Sequence, residues 1–507
     1  MSFAVKPVPA QIPARSMPVT GLADLTNESR VIATPWSRMV RGIGLGQYPI
    51  DYDPAIAAQL RGTFEHLGLK VTDSNSYTLF ARRLTDLILR TEEPRARLSR
   101  AELEGALGLV IDAVRAEPNA YHRVVAGCIL MDAVAKLGLD PHLLMNEASD
   151  FPGEVLDTVN RIQPDQIKDE NRGRHGQYEK LSAYTAVFLA FGQLGLRERL
   201  ITGSDNHIHA ALELLDDVPA PFFRGRGGSM LMSVVSLLGA DDIMLDGNRD
   251  YLAEVLTYLD RAGELNLPPS FPGRMTPAFG LVYPLLTMLN AIAMSGRPEY
   301  LSYGCDRLAE AKDLLGQITA VERTHMGLYY ILALHNLGRL EDQVPDLDAF
   351  VEGIVSQWPH VNPGADFFLN GISYPYMIET AMICGRPDLI TDEALDRLVD
   401  SFPGLDRTAL DRANRPYPVS YVLNMLGEIG EAERLFTPRA AYGGNSAISW
   451  VVDHLSENGR AEGSRLHMLD HALISYALRL RGTGRGETEM FRNFAFPAPA
   501  GPSSPRS

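Results

Sequence analysis

The sequence predicts an all-α protein built from repeated helical hairpins. Apolar residues recur at spacings of three and four through most of the chain, as in AELEGALGLVIDAVRAE, which is the period of a helix with one buried face. Alternating runs rich in Val, Ile and Thr, which would indicate strands, are rare. Strongly apolar segments end at a glycine, and a short turn and an amphipathic segment follow. This order predicts pairs of antiparallel helices.

The glycines that end the apolar segments set the length of the repeat. They are Gly138, Gly195, Gly239, Gly296, Gly338, Gly385 and Gly430. The separation of each glycine from the next suits one helical hairpin with its connections. Glycine fits because the residue after a helix commonly adopts a left-handed conformation, which costs other residues energy. We therefore expect eight apolar helices, beginning near residues 119, 178, 224, 279, 325, 372, 418 and 465.

Several copies of the repeat agree in detail. AMSGRPEYL, MICGRPDLI and HNLGRLEDQ share Gly-Arg followed by an acidic residue. VYPLLTMLN, SYPYMIETA and PYPVSYVLN carry Tyr-Pro, and proline is tolerated in the first turn of a helix. We expect Tyr283, Tyr374 and Tyr417 to open their helices at equivalent places.

Hairpins stacked in this way form either a closed α/α toroid, also called a barrel, or an open α-solenoid. Segments such as SMLMSVVSLLG and AFGLVYPLLTMLNAIAMSG have almost no polar face, which is typical of helices that are covered on all sides. An open solenoid should show more polar residues on its concave face. The sequence favours the toroid, and the open solenoid is the alternative.

Proline marks both ends of the chain. Residues 1–50 carry six prolines and little periodicity, which predicts a Pro-rich N-terminal arm. Residues 484–507 end in PAPAGPSSPRS, a composition typical of a disordered tail. Between the two ends, Pro and Gly occur singly between helical periods, so residues 51–483 are expected to form a single all-α domain.

Charge and cysteine content exclude several classes of protein. The 507-residue chain has a formal net charge of -16, which repels the phosphates of nucleic acids and anionic membrane surfaces. Three distant cysteines do not make a disulfide framework and fit a reducing, cytoplasmic location. No apolar run of about 18 residues is free of charged or turn residues, so we expect no membrane span.

Arginine stands at the start of almost every apolar helix. In a toroid these starts converge on one rim, where helix N-termini present free N–H groups. Arg224 and Arg226 lie in FFRGRGG, whose glycines we expect to form a loop that approaches an anion before the helix begins, and Arg274 lies in FPGRMTP. Because guanidinium binds oxyanions bidentately, these arginines are the predicted residues for a phosphate, diphosphate or carboxylate head. Alternatively they only solvate loops, since 41 of the 47 basic residues are arginine, a skew that GC-rich coding produces.

Tyrosines are concentrated in the first turns of the apolar helices. Tyr283, Tyr329 and Tyr417 are expected to line an apolar cavity, because their rings are apolar and their hydroxyl tips are polar. Aromatic faces could also stabilise a carbocation. The alternative is that these rings only fill the core.

Asp366, His325 and Tyr374 are the predicted catalytic residues. Asp366 lies among apolar and glycine residues in NPGADFF, and a desolvated carboxyl has a raised pKa and can donate a proton. His325 is the second candidate for moving a proton. The alternatives are that Asp366 caps a helix and that His325 is a hydrogen-bonded surface residue.

The sequence predicts no metal site. His467 and His471 have the i, i+4 spacing of zinc ligands, but no third ligand is evident. Asp241, Asp242 and Asp246 resemble the aspartate-rich magnesium motif of class I terpene synthases over three residues only, and an acidic loop between helices is the better interpretation. No cofactor is firmly implied; Mg²⁺ would be expected only if the substrate is a diphosphate.

These features favour an enzyme with an apolar cavity and an Arg-rich mouth, acting on a hydrophobic small molecule with an anionic head. The most concrete form is terpenoid cyclase-like chemistry, by a lyase or isomerase, on an isoprenoid diphosphate. This link is an analogy of fold, because the Asp-x-Asp-Asp and Gln-Trp motifs of those enzymes are absent. One alternative is a tetratricopeptide-like interaction scaffold, indicated by LGRLEDQ and IGEAERLF. Another is an α/α-barrel carbohydrate-active enzyme, which would need paired carboxylates at the mouth.

Overall fold

Helices dominate this computed structural model, and the all-α prediction is confirmed. The structure describes residues 108, 111–112, 114–115, 120–136, 141–146, 149–166, 176–201, 206–245, 249–262, 276–361, 373–374, 376–378, 380–381, 384–403, 422, 426, 431, 433–447 and 450. Within these ranges the regular β-structure is one short antiparallel pair. Its strands are β1 (Met145–Asn146) and β2 (Ser149–Asp150), with Met145 opposite Asp150.

Long apolar helices alternate with shorter amphipathic ones. In chain order the helices are α1 (Ala120–Lys136), α2 (Phe151–Arg161), α3 (Gly176–Gln193), α4 (Glu198–Ile201), α5 (His207–Glu213), α6 (Pro221–Leu237), α7 (Tyr251–Ala262), α8 (Pro277–Ser295), α9 (Arg307–Gln317), α10 (Ala320–Asn336), α11 (Leu340–Gln343), α12 (Leu347–Val355), α13 (Asp392–Asp400) and α14 (Glu433–Phe436). The described residues between 373 and 381 are also helical, and we call them the 373–381 segment.

The long helices form an inner layer, and the shorter helices form an outer layer. Along the inner layer α1 packs on α3, α3 on α6, α6 on α8, and α8 on α10. Outer helices α2, α7, α9 and α12 each pack on the inner helix that precedes them in the chain. Helices α2, α7 and α9 also contact the next inner helix, and α5 contacts α6, so these four helices bridge towards the following hairpin. The described chain is therefore a two-layer array of helical hairpins.

Left-handed glycines end the inner helices, as the sequence predicts. The φ angle is between 63° and 71° at Gly195, Gly239, Gly296, Gly338 and Gly385. The amide that follows each glycine donates back across it to a carbonyl of the last helical turn, as from Arg339 to Leu334 at 2.8 Å. This pattern of bonds is a Schellman motif, which satisfies carbonyls at the helix end and reverses the chain. Gly138 and Gly430 lie outside the described residues.

Helix α6 begins earlier than the sequence pattern predicts. Pro221 occupies its first turn, so FFRGRGG is helical, and the predicted anion-binding loop is wrong. The glycines instead let neighbouring helices approach. A Cβ on Gly225 would lie 2.6 Å from Leu259 of α7, and one on Gly227 would lie 2.7 Å from Leu181 of α3.

Glycines at which two helices pack closely recur at the same position in several inner helices. In sequence, Gly127, Gly228 and Gly327 each stand about three helical turns before Gly138, Gly239 and Gly338 respectively. Each faces a branched side chain of the outer helix, and an added Cβ would lie 2.5, 2.5 and 2.4 Å from Val155, Val255 and Ile354 respectively. Inner and outer helices therefore lie closer together than any side chain at this register would allow.

Buried glutamates join neighbouring inner helices at their first turns. Glu322 forms a capping box with Thr319 at the start of α10, and it also accepts the backbone N–H of Thr276, the N-cap of α8, at 2.6 Å. Glu179 in the first turn of α3 accepts the hydroxyl of Tyr121 in α1 at 3.0 Å. Both glutamates are fully buried, and they share one register relative to the glycine that ends their helix. Buried charge is tolerated when it is hydrogen-bonded in this way.

One described helix, α8, is long and apolar enough to cross a membrane by length and composition. Its most apolar window has a mean hydropathy of 1.5, and 78% of that window is buried within the protein. Helices α6 and α10 pack on α8 from the inner layer, and α7 and α9 pack on it from the outer layer. Pro284 lies inside this helix, so the predicted opening of the helix at Tyr283-Pro284 is wrong.

The short helical turn after α6 holds a largely buried carboxyl group. Asp241 begins this turn, and its Oδ1 is buried without a hydrogen-bond partner among the residues that the structure describes. Burial raises the pKa of Asp241 to about 7; the nearby Ser236 opposes this effect, and the carboxylate of Asp242 adds to it. The folded protein thus binds this proton more tightly than the unfolded chain does.

Replacement of Gly228 by valine should destabilise the fold. The new side chain meets Val255, a stiff β-branched residue, and overpacking of this kind costs about 1–3 kcal/mol. The free energy of unfolding in urea measures the effect. Gly316→Val in α9 is the matched control, because a Cβ there enters open space. An equal decrease in the free energy of unfolding in the two variants would contradict close packing at Gly228.

Replacement of Asp241 by asparagine should stabilise the protein above pH 7 and have little effect below pH 4. The wild-type carboxyl stabilises least when it is ionised, so wild-type stability falls as pH rises from about 4 to about 7. At pH 8 we expect the free energy of unfolding of the variant to exceed that of the wild type by about 1–3 kcal/mol, a range that takes the partial exposure of Asp241 into account. Urea unfolding of both proteins across this pH range measures it. The exposed Asp242→Asn is the control, and a gain that does not change with pH would contradict the assignment.

Candidate functional site

Buried aromatic and polar side chains form a continuous row along the inner layer. The row consists of Arg226 from α6, Tyr283 from α8, His325 and Tyr329 from α10, and Ser373 and Tyr376 from the 373–381 segment. The most exposed of these residues, Arg226, is 6% exposed. Buried polar groups are costly unless they are paired, so a concentration of them marks a candidate site.

Ring contacts connect the row from helix to helix. The Arg226 guanidinium lies over the ring of Tyr283, 5.3 Å from its centroid. The Tyr283 ring meets the edge of Tyr329 at 5.6 Å, and the Tyr329 and Tyr376 rings lie 6.1 Å apart. The hydroxyls of Tyr329 and Tyr376 are 3.4 Å apart, at the limit of a hydrogen bond.

His325 is fixed between two aromatic rings and a hydroxyl. Its ring stacks on Tyr376 at 5.0 Å and meets Phe279 edge-on at 6.1 Å. Its Nε2 lies 2.9 Å from Oγ of Ser373, and either atom can donate, depending on the tautomer of the ring. Helix α10 begins at Ala320, so His325 stands in its second turn and is 2% exposed. The alternative of a surface histidine is therefore wrong.

The residues of the row share registers relative to the glycine that ends each helix. Arg226, Tyr283 and His325 are equally far in sequence from that glycine, and Tyr329 and Tyr376 stand one helical turn closer to it. Positions four apart lie on one helix face, so the two registers form one line across the inner layer. Alignment of the hairpins on their glycines would have found this line in the sequence.

The hydroxyl of Tyr283 has no hydrogen-bond partner among the described residues, although it is fully buried. Burial raises the pKa of this hydroxyl, and the neighbouring Arg226 guanidinium and Thr287 hydroxyl oppose the shift. The group therefore remains a protonated donor at neutral pH. A second buried hydroxyl without a partner belongs to Tyr330, whose ring packs on Phe350 of α12, away from the row.

Arg224 and Arg226 have separate roles in the structure. The Arg224 guanidinium donates to the carbonyls of Val218 and Asp216 and lies over the ring of Tyr258, 5.3 Å from its centroid. It therefore holds the chain segment that leads into α6 against α7. Only Arg226 of the predicted pair belongs to the row.

Tyr374 also lies apart from the row. Its hydroxyl donates to the carbonyl of Val361 at 3.2 Å, and its ring packs on Trp358 at 4.9 Å. Burial raises the pKa of this hydroxyl to about 12. The predicted equivalence with Tyr283 is wrong, because Tyr374 stands two positions closer to the glycine that ends its helix and so faces another direction.

Three predicted site residues, Arg274, Asp366 and Tyr417, lie outside the described residues, as do His467 and His471. Sequence reasoning missed Ser373 and the buried carboxylates of Glu179 and Glu322, because their partners are 46 to 58 residues away in the chain. Across the described ranges, no three His, Cys, Asp or Glu side chains gather as metal ligands would.

The row can bind a polar group through donors and surround an apolar group with rings. Arg226 supplies a fixed positive charge, and Tyr283 supplies a neutral donor. His325 and Ser373 supply a pair between which a proton can move. No family model, curated protein or solved structure matches this chain.

Proposed function

We propose that the row binds a hydrophobic small molecule with an anionic, oxygen-bearing head, and that the protein is an enzyme that acts on it. The observation that carries this proposal is the buried hydroxyl of Tyr283, which stands in hydrogen-bond geometry with no described residue, although the Thr287 hydroxyl lies near enough to act on its pKa. An orphan buried donor costs about 1–3 kcal/mol, so a ligand that supplies an acceptor recovers this loss.

The surroundings of Tyr283 define the chemistry of the ligand. The Arg226 guanidinium on the Tyr283 ring favours an anionic oxygen, such as one of a phosphate, diphosphate or carboxylate. The rings of Phe279, Tyr329 and Tyr376 suit an apolar remainder. An isoprenoid diphosphate combines both features, so terpenoid cyclase-like chemistry is the most concrete form of the proposal. Mg²⁺ would accompany a diphosphate, and His325 would move a proton.

The burial of the inner helices supports the closed toroid as the shape that encloses this site. From Phe222 to Ser236 in α6, every residue except Arg224 is buried, and α8 and α10 show similar burial. A helix buried around its whole circumference has partners on all sides. A toroid supplies such partners across its centre.

An interaction scaffold is the second candidate, and the regularity of the hairpins favours it. The left-handed glycines and the packing glycines recur as they do in repeat proteins, whose stacked hairpins present a concave binding surface. A carbohydrate-active enzyme has less support. It needs two carboxylates facing a cleft, whereas both oxygens of Glu322 bond to Thr276 and Thr319.

Replacement of Tyr283 by phenylalanine should weaken binding of farnesyl diphosphate by about 10-fold or more, since a hydrogen bond to a charged group contributes about 1.5–3 kcal/mol. Without ligand the variant should be at least as stable as the wild type, because an orphan hydroxyl is lost. Isothermal titration and thermal unfolding measure the two effects.

Tyr330→Phe is the matched control for Tyr283→Phe. It removes the other orphan hydroxyl, which lies outside the row, so ligand affinity should not change. Titration with farnesol and with inorganic diphosphate separates the contributions of tail and head. Absence of binding by all three compounds, or equal affinity in both variants, would contradict the proposal.

Spin labels at Ala120 and His467 should report a short distance if the hairpins close into a ring. Adjacent helices pack about 8–10 Å apart, so a closed ring brings the first and last inner helices to one such spacing. Double electron–electron resonance in a variant without the three natural cysteines measures the distance. In an open solenoid the first and last inner helices are separated by about seven helix-to-helix spacings. A label distance several times larger than one spacing would therefore exclude the toroid.

A further inference from the structure

We propose that Ser373 is a nucleophile and His325 its general base, so that the substrate of the row carries a carboxylic ester bond. The inference rests on the proposed function, because that function places a substrate beside these residues. It keeps the apolar substrate with an anionic group but replaces the terpenoid cyclase-like form of that function, because an isoprenoid diphosphate carries no carboxylic ester. The reaction it assigns is acyl transfer to serine and then to water.

The geometry of the pair meets the requirement for nucleophile activation. Ser373 Oγ and His325 Nε2 are 2.9 Å apart, within the range at which a base removes a hydroxyl proton. Ser373 donates to Nε2 when the neutral ring carries its proton on Nδ1. The stack on Tyr376 and the edge contact with Phe279 hold the imidazole in this orientation.

The position of the pair also suits an ester of an apolar acid. Ser373 is fully buried, so the substrate must lie inside the row, with its acyl chain against the rings. Tyr329 and Tyr376 stand one helical turn beyond His325 and Ser373 on the same two helices. Their hydroxyls are donors of the kind that stabilises an oxyanion. Arg226 and Tyr283, farther along the row, would hold an anionic group elsewhere in the substrate.

The reaction balances with water as the second substrate. Ser373 Oγ bonds to the ester carbon as its proton passes to His325 Nε2. The C–O bond to the alcohol then breaks, and the alcohol leaves with that proton. Water, deprotonated by His325, attacks the acyl carbon, and the bond to Ser373 breaks as the serine regains a proton. The products are a carboxylic acid and an alcohol.

A long-chain alkyl fluorophosphonate tests the assignment on the full chain. It should form one covalent adduct, which peptide mass spectrometry maps to Ser373. His325→Gln keeps a hydrogen-bonding side chain but removes the base, so labelling should slow by about 100-fold or more. Ser182→Ala is the matched control, because within the described structure this buried serine bonds only to the Tyr178 carbonyl of its own helix. Its loss should leave labelling unchanged.

The outcomes separate this inference from the proposed function. The role of Ser373 would be overturned by labelling at another residue or by the absence of labelling. It would also be overturned if His325→Gln, with wild-type thermal stability, were labelled at the same rate as the wild type. If His325→Gln is less stable than the wild type, the test becomes Ser373→Ala, which should abolish the adduct in a folded protein. An adduct that persists in folded Ser373→Ala would contradict the role of Ser373. Binding of farnesyl diphosphate that depends on Tyr283, without an adduct at Ser373, would leave the binding proposal standing alone. An adduct without such binding would support the nucleophile and contradict the anionic head.

Discussion

The left-handed glycine turn that ends the inner helices from α3 onward is the constraint on which the hairpin array depends. At Gly296 or Gly338 the chain takes a conformation that costs an L-residue with a Cβ about 1–2 kcal/mol, and the bond back across the glycine fixes where the next segment starts. The outer helix must then return along the helix just completed. Packing glycines earlier in the inner helix, such as Gly228, set how closely it can approach. Direction and distance within a hairpin thus both depend on positions without side chains.

The hairpins could be predicted from sequence because their signals are local. Apolar periodicity and a final glycine belong to one helix, so Gly195 and Gly385 are recognisable without knowledge of any partner. Helix starts were harder to predict. The glycines of FFRGRGG fit a loop and a close helix contact equally well, and only the side chains of Leu259 and Val255 on the partner helix decide between them.

The candidate site was predictable in part for the same reason. The starts of the apolar helices indicate Arg226, Tyr283, His325 and Tyr329 as site residues, and the structure brings these four together. The same pattern indicates Arg224, but its side chain lies towards α7, because residues two apart lie on different faces of a helix. Ser373 has no local signal, since its partner His325 is 48 residues away. Pairings of this range depend on how neighbouring hairpins align, which no single helix encodes.

Two kinds of buried polar group occur in the inner layer, and their difference bears on function. Glu322 is fully satisfied, and its bonds to Thr276 and Thr319 fix one helix start against the next, which is a structural role. Tyr283 has no such bond within the described structure, and phenylalanine would fill the same space without the cost of an orphan hydroxyl. Stability therefore does not account for tyrosine at this position. Its place in the row, beside a guanidinium and in line with His325, relates the unused donor to a ligand rather than to the fold.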